Sequence, residues 1–296
     1  MAAKKERLDT FGATALVGIA ALLAFNQVVI SWVNEGLQPV FLAGLRSALA
    51  TGFVALWLWV QGRPVRYTPG TSGAGLLIGC AFAAEFICLF LALDLTAVSR
   101  AVLIFYTMPV WLALLAHFFL PGERLTRVRM LGLGLAFAGT ATAILDRSHA
   151  GTGAASLTGD LLALGGAFGW AGTAFLTKVT AMRRVGPEMQ LFWMVAVSAP
   201  VLLLASLFFG PLIRELQPMH LVWLGFMASV VVAGGFIGWL WMLSVYPAAT
   251  VASFSFLTPV LSLGLGWLVL GEPVGPAIVV AALLVAVGIV LINRRN

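Results

Sequence analysis

Charged residues are scarce in this chain of 296 amino acids: they make up 9% of the sequence, whereas hydrophobic residues make up 61%. A soluble domain carries about 25% charged residues, so this sequence has too little polar surface to cover a water-facing shell. The scarcity excludes a soluble enzyme, a disordered chain and a nucleic-acid-binding module. The composition instead indicates a membrane protein that crosses the bilayer many times.

Residues that carry catalysis or bind metals are also rare. Cys80 and Cys88 would lie about 12 Å apart on one helix, too far for a disulfide. His117 lies deep in an apolar run without a Cys, His or acidic partner nearby in the sequence, so we predict no metal site. The sequence contains no phosphate-binding Gly-rich loop, no zinc-protease motif and no Ser/His/Asp arrangement. We therefore predict no catalytic residues, no cofactor and no enzymatic activity.

Apolar runs of about 20 residues, the length that a membrane-spanning helix needs, fill most of the chain. The first run follows Lys4 and Lys5 like a signal peptide, but it is too long and contains polar residues, so we expect it to remain. The predicted fold is an all-α integral membrane protein with ten transmembrane helices. We place these helices at 11–33, 39–60, 72–93, 98–120, 127–146, 158–181, 188–209, 220–243, 248–270 and 274–292.

Basic residues are distributed unevenly between the two predicted membrane faces. If both termini lie on one side, most of the 17 Lys and Arg residues fall on that side, in short clusters between the apolar runs. Cytoplasmic loops carry such an excess, so we predict cytoplasmic N- and C-termini.

Pairs of residues recur along the chain at a nearly constant offset of about 150 positions. The pairs are Phe86-Ile87 with Phe236-Ile237, Pro109-Val110 with Pro259-Val260, Gly122-Glu123 with Gly271-Glu272, and Pro39 with Pro187. We predict two five-helix repeats, 1–147 and 148–296. Because five is odd, the two repeats must enter the membrane in opposite orientations. Inverted repeats are typical of secondary transporters, whose substrates bind near the midplane between the halves.

Several stretches resemble a known family. They are LAGLRSALA at 42–50, FYTMPV at 105–110, WAGTAF at 170–175, FLTPV at 256–260 and the two Gly-Glu pairs. Together they resemble the EamA-type members of the drug/metabolite transporter superfamily over essentially the whole chain. The resemblance implies a transporter that works by alternating access, with a small-molecule substrate and lipid as partners, functional as a monomer.

A narrower resemblance rests on EFICL at 85–89 followed by FYTMP. These residues are most similar to the YddG exporters of aromatic and other neutral amino acids. The resemblance implies export of neutral, aromatic or large apolar amino acids across the bacterial inner membrane. The first helix departs from the family, since it has Ala24-Phe25-Asn26 where many relatives carry Trp-Gly or Trp-Ser.

Few polar side chains fall inside the predicted spans. Glu85 is the only carboxylate well inside one, and it is either a binding or proton site or a neutral carboxyl that ties two helices together. Asn26 and Gln27 point about 100° apart on a helix, and we favour Asn26 for the cavity. Arg46 could pair with a substrate carboxylate, but we expect it to reach the nearby membrane interface or hold a loop.

Aromatic residues and prolines complete the candidate site. The resemblance to the exporters implies that Tyr106, Trp170 and Trp239 face the cavity. An aromatic cavity with few polar groups suits small amphipathic substrates and not sugar phosphates, which would need several buried cations. Pro109 and Pro259 occupy equivalent positions and are predicted kinks, serving as hinges or as inherited packing geometry.

Two alternatives to amino-acid export remain open at this point. One is a broad drug or nucleoside exporter of the same fold. The other is a lipid-modifying membrane enzyme or a scaffold subunit.

Overall fold

The structure is a computed structural model that describes residues 9–62, 68–120, 125–146, 155–235, 238, 241–242, 245–246, 254 and 257–293. Across these residues the chain consists of helices joined by short turns, with one isolated antiparallel bridge between Leu37 and Ile213. The α-helices are α1 (Thr10–Gly36), α2 (Pro39–Val60), α3 (Ser72–Leu95), α4 (Val98–Phe105), α5 (Met108–Phe119), α6 (Arg127–Leu145), α7 (Leu157–Val179), α8 (Pro187–Ala205), α9 (Pro218–Phe226), α10 (Leu257–Leu270) and α11 (Pro276–Asn293).

Most of these helices have the length and hydropathy of membrane spans. Among the described residues, seven helical segments qualify on both criteria, with α4 and α5 counted as one segment. The 23 residues of α7 are long enough, but its glycines, Asp160 and Lys178 lower its hydropathy. The described parts of α10 and α11 are apolar and shorter. The all-helical, multi-pass architecture is confirmed, whereas the count of ten spans stays a prediction.

Local sequence features explain where the helices begin. Four residues cap a helix N-terminus by accepting a hydrogen bond from the backbone N–H three positions on: Asp9, Gln38, Thr126 and Ser156. Pro39 and Pro187 lie in the first turns of α2 and α8, where a backbone N–H is not needed. Since these prolines form one of the repeated pairs, both halves begin their second helix in the same way.

The contacts between helices follow the pattern of an inverted repeat. Helices at corresponding positions in the two halves pack against each other: α2 with α8, α4 with α10, and α6 with α11. The first helix of each half also packs against the fourth span of the other half: α1 contacts α10, and α7 contacts α4 and α5. The boundary between the halves therefore runs through the middle of the bundle, where transporters of this architecture bind substrate.

Close contacts fix the relative directions of the helices. Gly159, at the start of α7, lies against Thr96 after the end of α3, and Gly132 near the start of α6 lies against Gly288 near the end of α11. Both pairs of helices are therefore antiparallel. We call the end of the bundle where α1 begins and α11 ends the terminal end, and the end where α1 ends and α7 begins the opposite end. That the terminal end is cytoplasmic stays a prediction.

The fourth predicted span is interrupted. A continuous helix was expected over 98–120, but α4 ends at Phe105 and α5 begins at Met108, with Tyr106 and Thr107 between them. Pro109 lies in the first turn of α5 and has no N–H to donate to the carbonyl of Phe105. The Thr107 hydroxyl donates to the carbonyl of Ile104 at 2.6 Å, which stabilises the break. The interruption lies just before the predicted kink, while the hinge role of Pro109 stays a prediction.

A second departure from regular helix occurs after α9. The residues Met227–Gly235 continue it as a π-helix, whereas a regular helix was expected over 220–243. A π-helix is wider than an α-helix and is often found near functional sites. By the repeat offset of 150, this segment corresponds in sequence to residues 77–85 of α3, which end at Glu85.

The packing of α6 on α11 depends on glycine. A Cβ atom added at Gly132 would lie 2.6 Å from the carbonyl oxygen of Gly288, while a Cβ added at Gly134 would meet nothing within 4 Å. We predict that Gly132→Ala lowers the thermal unfolding midpoint of the detergent-solubilised protein, because overpacking costs about 1–3 kcal/mol. The matched variant Gly134→Ala should leave the midpoint unchanged or raise it, since Ala favours helix by about 0.5–1 kcal/mol. Equal midpoints for the two variants would contradict this packing.

Candidate functional site

Glu85 lies at the boundary between the halves, where α3 of the first half meets α7 of the second. Its exposed fraction is 2%. A Cβ added at Gly169 would lie 2.9 Å from the Cα of Glu85, so the backbone of α7 comes directly against this residue. Gly165 and Gly166 lie along the same face of α7, against Cys88 and Phe105. The carboxylate is therefore held inside the bundle and not at its lipid-facing surface.

Arg46 of α2 is the second buried charge at this position. Only 6% of it is exposed. Its guanidinium carbon lies 4.2 Å from the ring centroid of Phe86 and 4.9 Å from that of Phe90, both on α3. The expectation that Arg46 reaches the membrane interface was wrong, because these two rings draw the side chain inward by cation–π contact.

Arg46 and Glu85 do not form a direct ion pair with each other. Both residues are described by the structure, and no nitrogen of Arg46 lies within the 4.0 Å ion-pair distance of a Glu85 oxygen. Within the described residues, the Nε of Arg46 and the Oε2 of Glu85 have no hydrogen-bond partner. Buried charges are normally paired and hydrogen-bonded, so this arrangement leaves part of their bonding capacity unused.

Aromatic rings form an apolar wall beside the charges. Phe82, Phe86 and Phe90 succeed one another at four-residue intervals on α3, with centroid distances of 4.2 and 5.6 Å. Trp170 directly follows Gly169 on α7, is half-buried and packs against the main hydrophobic core. The sequence predicted the tryptophan but not the three phenylalanines, whose spacing only indicated a common helix face.

The amides of α1 are buried as well. Asn26 and Gln27 are 5% and 6% exposed, and within the described residues their carbonyl oxygens lack hydrogen-bond partners. The acceptor atom of each amide is therefore unused, while the preference for Asn26 as the cavity residue stays a prediction. Helix α1 packs against α10, where the hydroxyls of Thr258 and Ser262 likewise make no hydrogen bond of standard geometry in the described part of the chain.

The remaining predicted residues are distributed over other parts of the bundle. Tyr106 is buried at the interruption between α4 and α5, beside Thr258 of α10. Pro259 lies near the start of the described part of α10 and lines an apolar crevice with Leu103 of α4. Trp239 lies outside the described residues. The structure therefore places Glu85 against Gly169, the residue before Trp170, and Tyr106 on a neighbouring interface, and it leaves Trp239 as a prediction.

Polar contacts join the halves at the opposite end of the bundle. Arg214 forms two hydrogen bonds with Asp94, at 2.7 and 2.9 Å, and a third with the carbonyl of Asn34. The hydrogen bond with the Asp94 carboxylate raises the pKa of Arg214 above its ordinary value. Nearby, the bridge between Leu37 and Ile213 ties the α1–α2 turn to the segment before α9.

A buried ion pair lies at the same end, where α4, α6 and α7 meet. Arg100 contacts Asp160 at 2.7 Å and also donates to the carbonyl of Ala143 at 2.6 Å. The hydroxyl of Thr96 donates to Asp160 at 3.2 Å. Unlike Arg46 and Glu85, this pair has its charges in direct contact.

The repeated Gly-Glu pair has a structural role at this end. Gly271 has φ of 65°, a left-handed conformation that favours glycine, and it follows the last residue of α10. The Glu272 carboxylate then accepts hydrogen bonds from the backbone N–H groups of Val98 and Ser99, in the first turn of α4. A carboxylate at a helix N-terminus is stabilising, so Glu272 of one half caps a helix of the other. The matching Gly122-Glu123 lies outside the described residues.

The terminal end has a matching polar contact. The hydroxyl of Tyr246 donates to the carboxylate of Asp9 at 2.6 Å. Tyr246 lies 150 positions after Thr96, and Asp160 lies 151 positions after Asp9. The hydroxyl-to-aspartate contacts at the two ends therefore occupy corresponding places in the repeat.

The buried pair of Arg100 and Asp160 generates a stability prediction. Asp160 is fully buried, so Arg100→Gln leaves an uncompensated charge and should cost about 3–5 kcal/mol. Asp160→Asn should destabilise similarly, while the double variant should be less destabilised than the sum of the two. Thermal midpoints of the four proteins in detergent measure this coupling. Additive effects would show that the two side chains do not depend on each other.

Comparisons with known proteins agree with this architecture. The model of the EamA-like transporter family matches the chain twice, over residues 10–145 and 157–294. The uncharacterized transporter YvbV of Bacillus subtilis is 32% identical over 182 residues, which span 59% of this chain and 56% of that protein. The uncharacterized transporter YoaV of the same organism is 22% identical and aligns over 93% of this chain and 94% of its own length. A crystal structure at 20% identity covers 95% of this chain and 97% of its own with a TM-score of 0.64, which supports the fold alone.

Proposed function

Because the chain belongs to the EamA-like transporter family, we propose that it is a secondary transporter that exports neutral amino acids with aromatic or large apolar side chains across the bacterial inner membrane. The observation that carries the proposal is the buried centre of Glu85 and Arg46, which has ring-bearing side chains beside it. Ionisable groups inside a membrane bundle are costly and commonly mark substrate or ion pathways. A few polar groups with apolar walls suit a small amphipathic solute.

Within this proposal the halves alternate between states open to the two sides. Support comes from the inverted pattern of helix contacts and from the polar contacts that join the halves near each end. The described contacts that join the halves at the opposite end support a state that is closed there. Transport then requires the contacts of Arg214, Gln38 and Glu272 with the other half to break.

Exchange measurements in proteoliposomes that contain only this protein test the substrate class. We expect saturable counterflow of labelled phenylalanine or tryptophan. Trp170→Ala should reduce the exchange rate about tenfold or more, because an aromatic wall contributes about 1.5–3 kcal/mol of apolar burial. Trp59→Ala is the matched control, since Trp59 is 73% exposed near the end of α2 and should have no effect.

Several outcomes would contradict the proposal. If no amino acid exchanges while nucleosides or drugs do, the protein is a broad exporter of the same fold. If the chain alone moves no solute, a scaffold or enzyme role is favoured over transport.

A disulfide tests the closure of the opposite end. The antiparallel bridge between Leu37 and Ile213 implies a Cα separation of about 4.5–5.5 Å, within the range that a disulfide tolerates. In a background with Cys80 and Cys88 replaced by Ser, the double variant Leu37→Cys/Ile213→Cys should lose exchange after oxidation and regain it after reduction. Each single cysteine variant serves as a control. Full activity of the oxidised, crosslinked protein would exclude opening at this end.

A further inference from the structure

Arg46 and Glu85 are buried ionisable residues on adjacent helices, and Arg46 lies over the ring of Phe86, the residue next to Glu85. Both lie inside the bundle, and each has an atom without a partner among the described residues, the Nε of Arg46 and the Oε2 of Glu85. The chain is able to form a tight buried ion pair, since Arg100 and Asp160 approach to 2.7 Å. The separation of Arg46 from Glu85 is therefore specific to this place.

Cation–π contact holds the guanidinium away from the carboxylate. The faces of Phe86 and Phe90 lie 4.2 and 4.9 Å from its carbon atom and fix its position on the α3 side chains. Glu85 is fixed from the other direction, because the backbone of α7 at Gly169 lies against its Cα. Neither residue reaches the other, so both charges remain available to a third group.

A zwitterion carries a carboxylate and an ammonium group close together, which complement the side chains of Arg46 and Glu85. A guanidinium binds a carboxylate through two parallel N–H bonds, and a carboxylate accepts hydrogen bonds from an ammonium group. We infer that Arg46 binds the α-carboxylate and Glu85 the α-ammonium of an amino acid, whose side chain lies along the Phe82–Phe86–Phe90 rings. This inference rests on the proposed function and adds the requirement that both charged groups of the substrate be free.

The site also lies where motion between the halves would act on it. Arg46 is on α2, which contacts α8, and Glu85 is on α3, which contacts both α7 and α8. Displacement of the second half relative to the first changes what surrounds a bound zwitterion without separating the two charges, which belong to the same half.

Substrate analogues that each lack one charge test the inference in the wild-type protein. The labelled substrate is phenylalanine, and the unlabelled competitors are phenylalanine, phenethylamine, which has no carboxylate, and 3-phenylpropionate, which has no ammonium group. We expect unlabelled phenylalanine to compete, and each analogue to compete about tenfold more weakly or worse than phenylalanine. Each analogue lacks one charged group and so loses a charge-assisted hydrogen bond. Equal competition by either analogue would overturn the inference while leaving amino-acid export intact.

Variants then assign each charge to its partner. Arg46→Gln should reduce phenylalanine exchange about tenfold or more and remove the preference for phenylalanine over phenethylamine. Glu85→Gln should remove the preference over 3-phenylpropionate instead. Arg127→Gln, the same substitution at an exposed arginine, is the control and should retain both preferences. Unchanged preferences in Arg46→Gln would show that Arg46 has a structural role only.

Two further measurements keep the outcomes distinct. If Arg46→Gln does not fold, Arg46→Lys keeps the charge but loses the two-pronged geometry, and it should exchange phenylalanine more slowly at unchanged thermal stability. If the wild-type protein exchanges no amino acid, the proposed function itself fails and this inference falls with it. If phenylalanine is exchanged but neither charged group of the substrate affects competition, this inference is rejected and the proposed function stands.

Discussion

Close approach of helix backbones is the constraint on which the rest of this structure depends. Lipid tails are as apolar as leucine, so apolar burial gives helices in a membrane little reason to associate, and they must approach closely enough for dispersion and polar contacts. Glycine permits that approach here: Gly132 and Gly288 bring α6 to α11, and Gly169 brings α7 to α3. All of these contacts join one half to the other. The surface that holds the bundle together is therefore also the surface that contains the candidate site.

The same surface carries two kinds of buried charge. Arg100 and Asp160 are in direct contact at one end of the bundle, where Arg100 also bonds to a carbonyl and Asp160 to a hydroxyl. Arg46 and Glu85 lie further inside, are separated, and retain atoms without partners in the described part of the chain. Leaving buried ionisable groups incompletely paired costs free energy. Only 9% of the residues in this chain are charged, so the position of each one matters. The contrast separates a pair that ties the two halves together from the pair that we propose as the ligand site.

Features that recur along the chain were accessible from the sequence. The repeat was visible as a constant offset, and Pro39 and Pro187 begin equivalent helices as that offset implies. The importance of Glu85 followed from being a lone carboxylate in an apolar run, and the structure buries it between the halves.

Features that depend on neighbouring helices could not be predicted from the sequence. The long side chain of Arg46 begins seven residues into α2 and can extend either to the interface or inward, and the choice is made by two rings on α3. Pro109 indicated a bend, but the length of the interruption depends on how Thr107 bonds to Ile104. The π-helix at Met227–Gly235 has no distinguishing pattern in its small and β-branched residues.

One hydroxyl-to-aspartate contact at each end of the bundle is related by the repeat, whereas the carboxylate at its centre has no counterpart in the sequence. The contact of Thr96 with Asp160 at one end corresponds to that of Tyr246 with Asp9 at the other. The position that matches Glu85 is Gly235, which has no side chain and lies near Leu22 of α1. Exchanging the conformations of inverted halves exchanges their ends, so equivalent end contacts suit alternate opening and closing. Because this carboxylate is present in one half only, a zwitterion bound as we propose would keep the same orientation in both states, since the groups that hold it do not exchange with the ends.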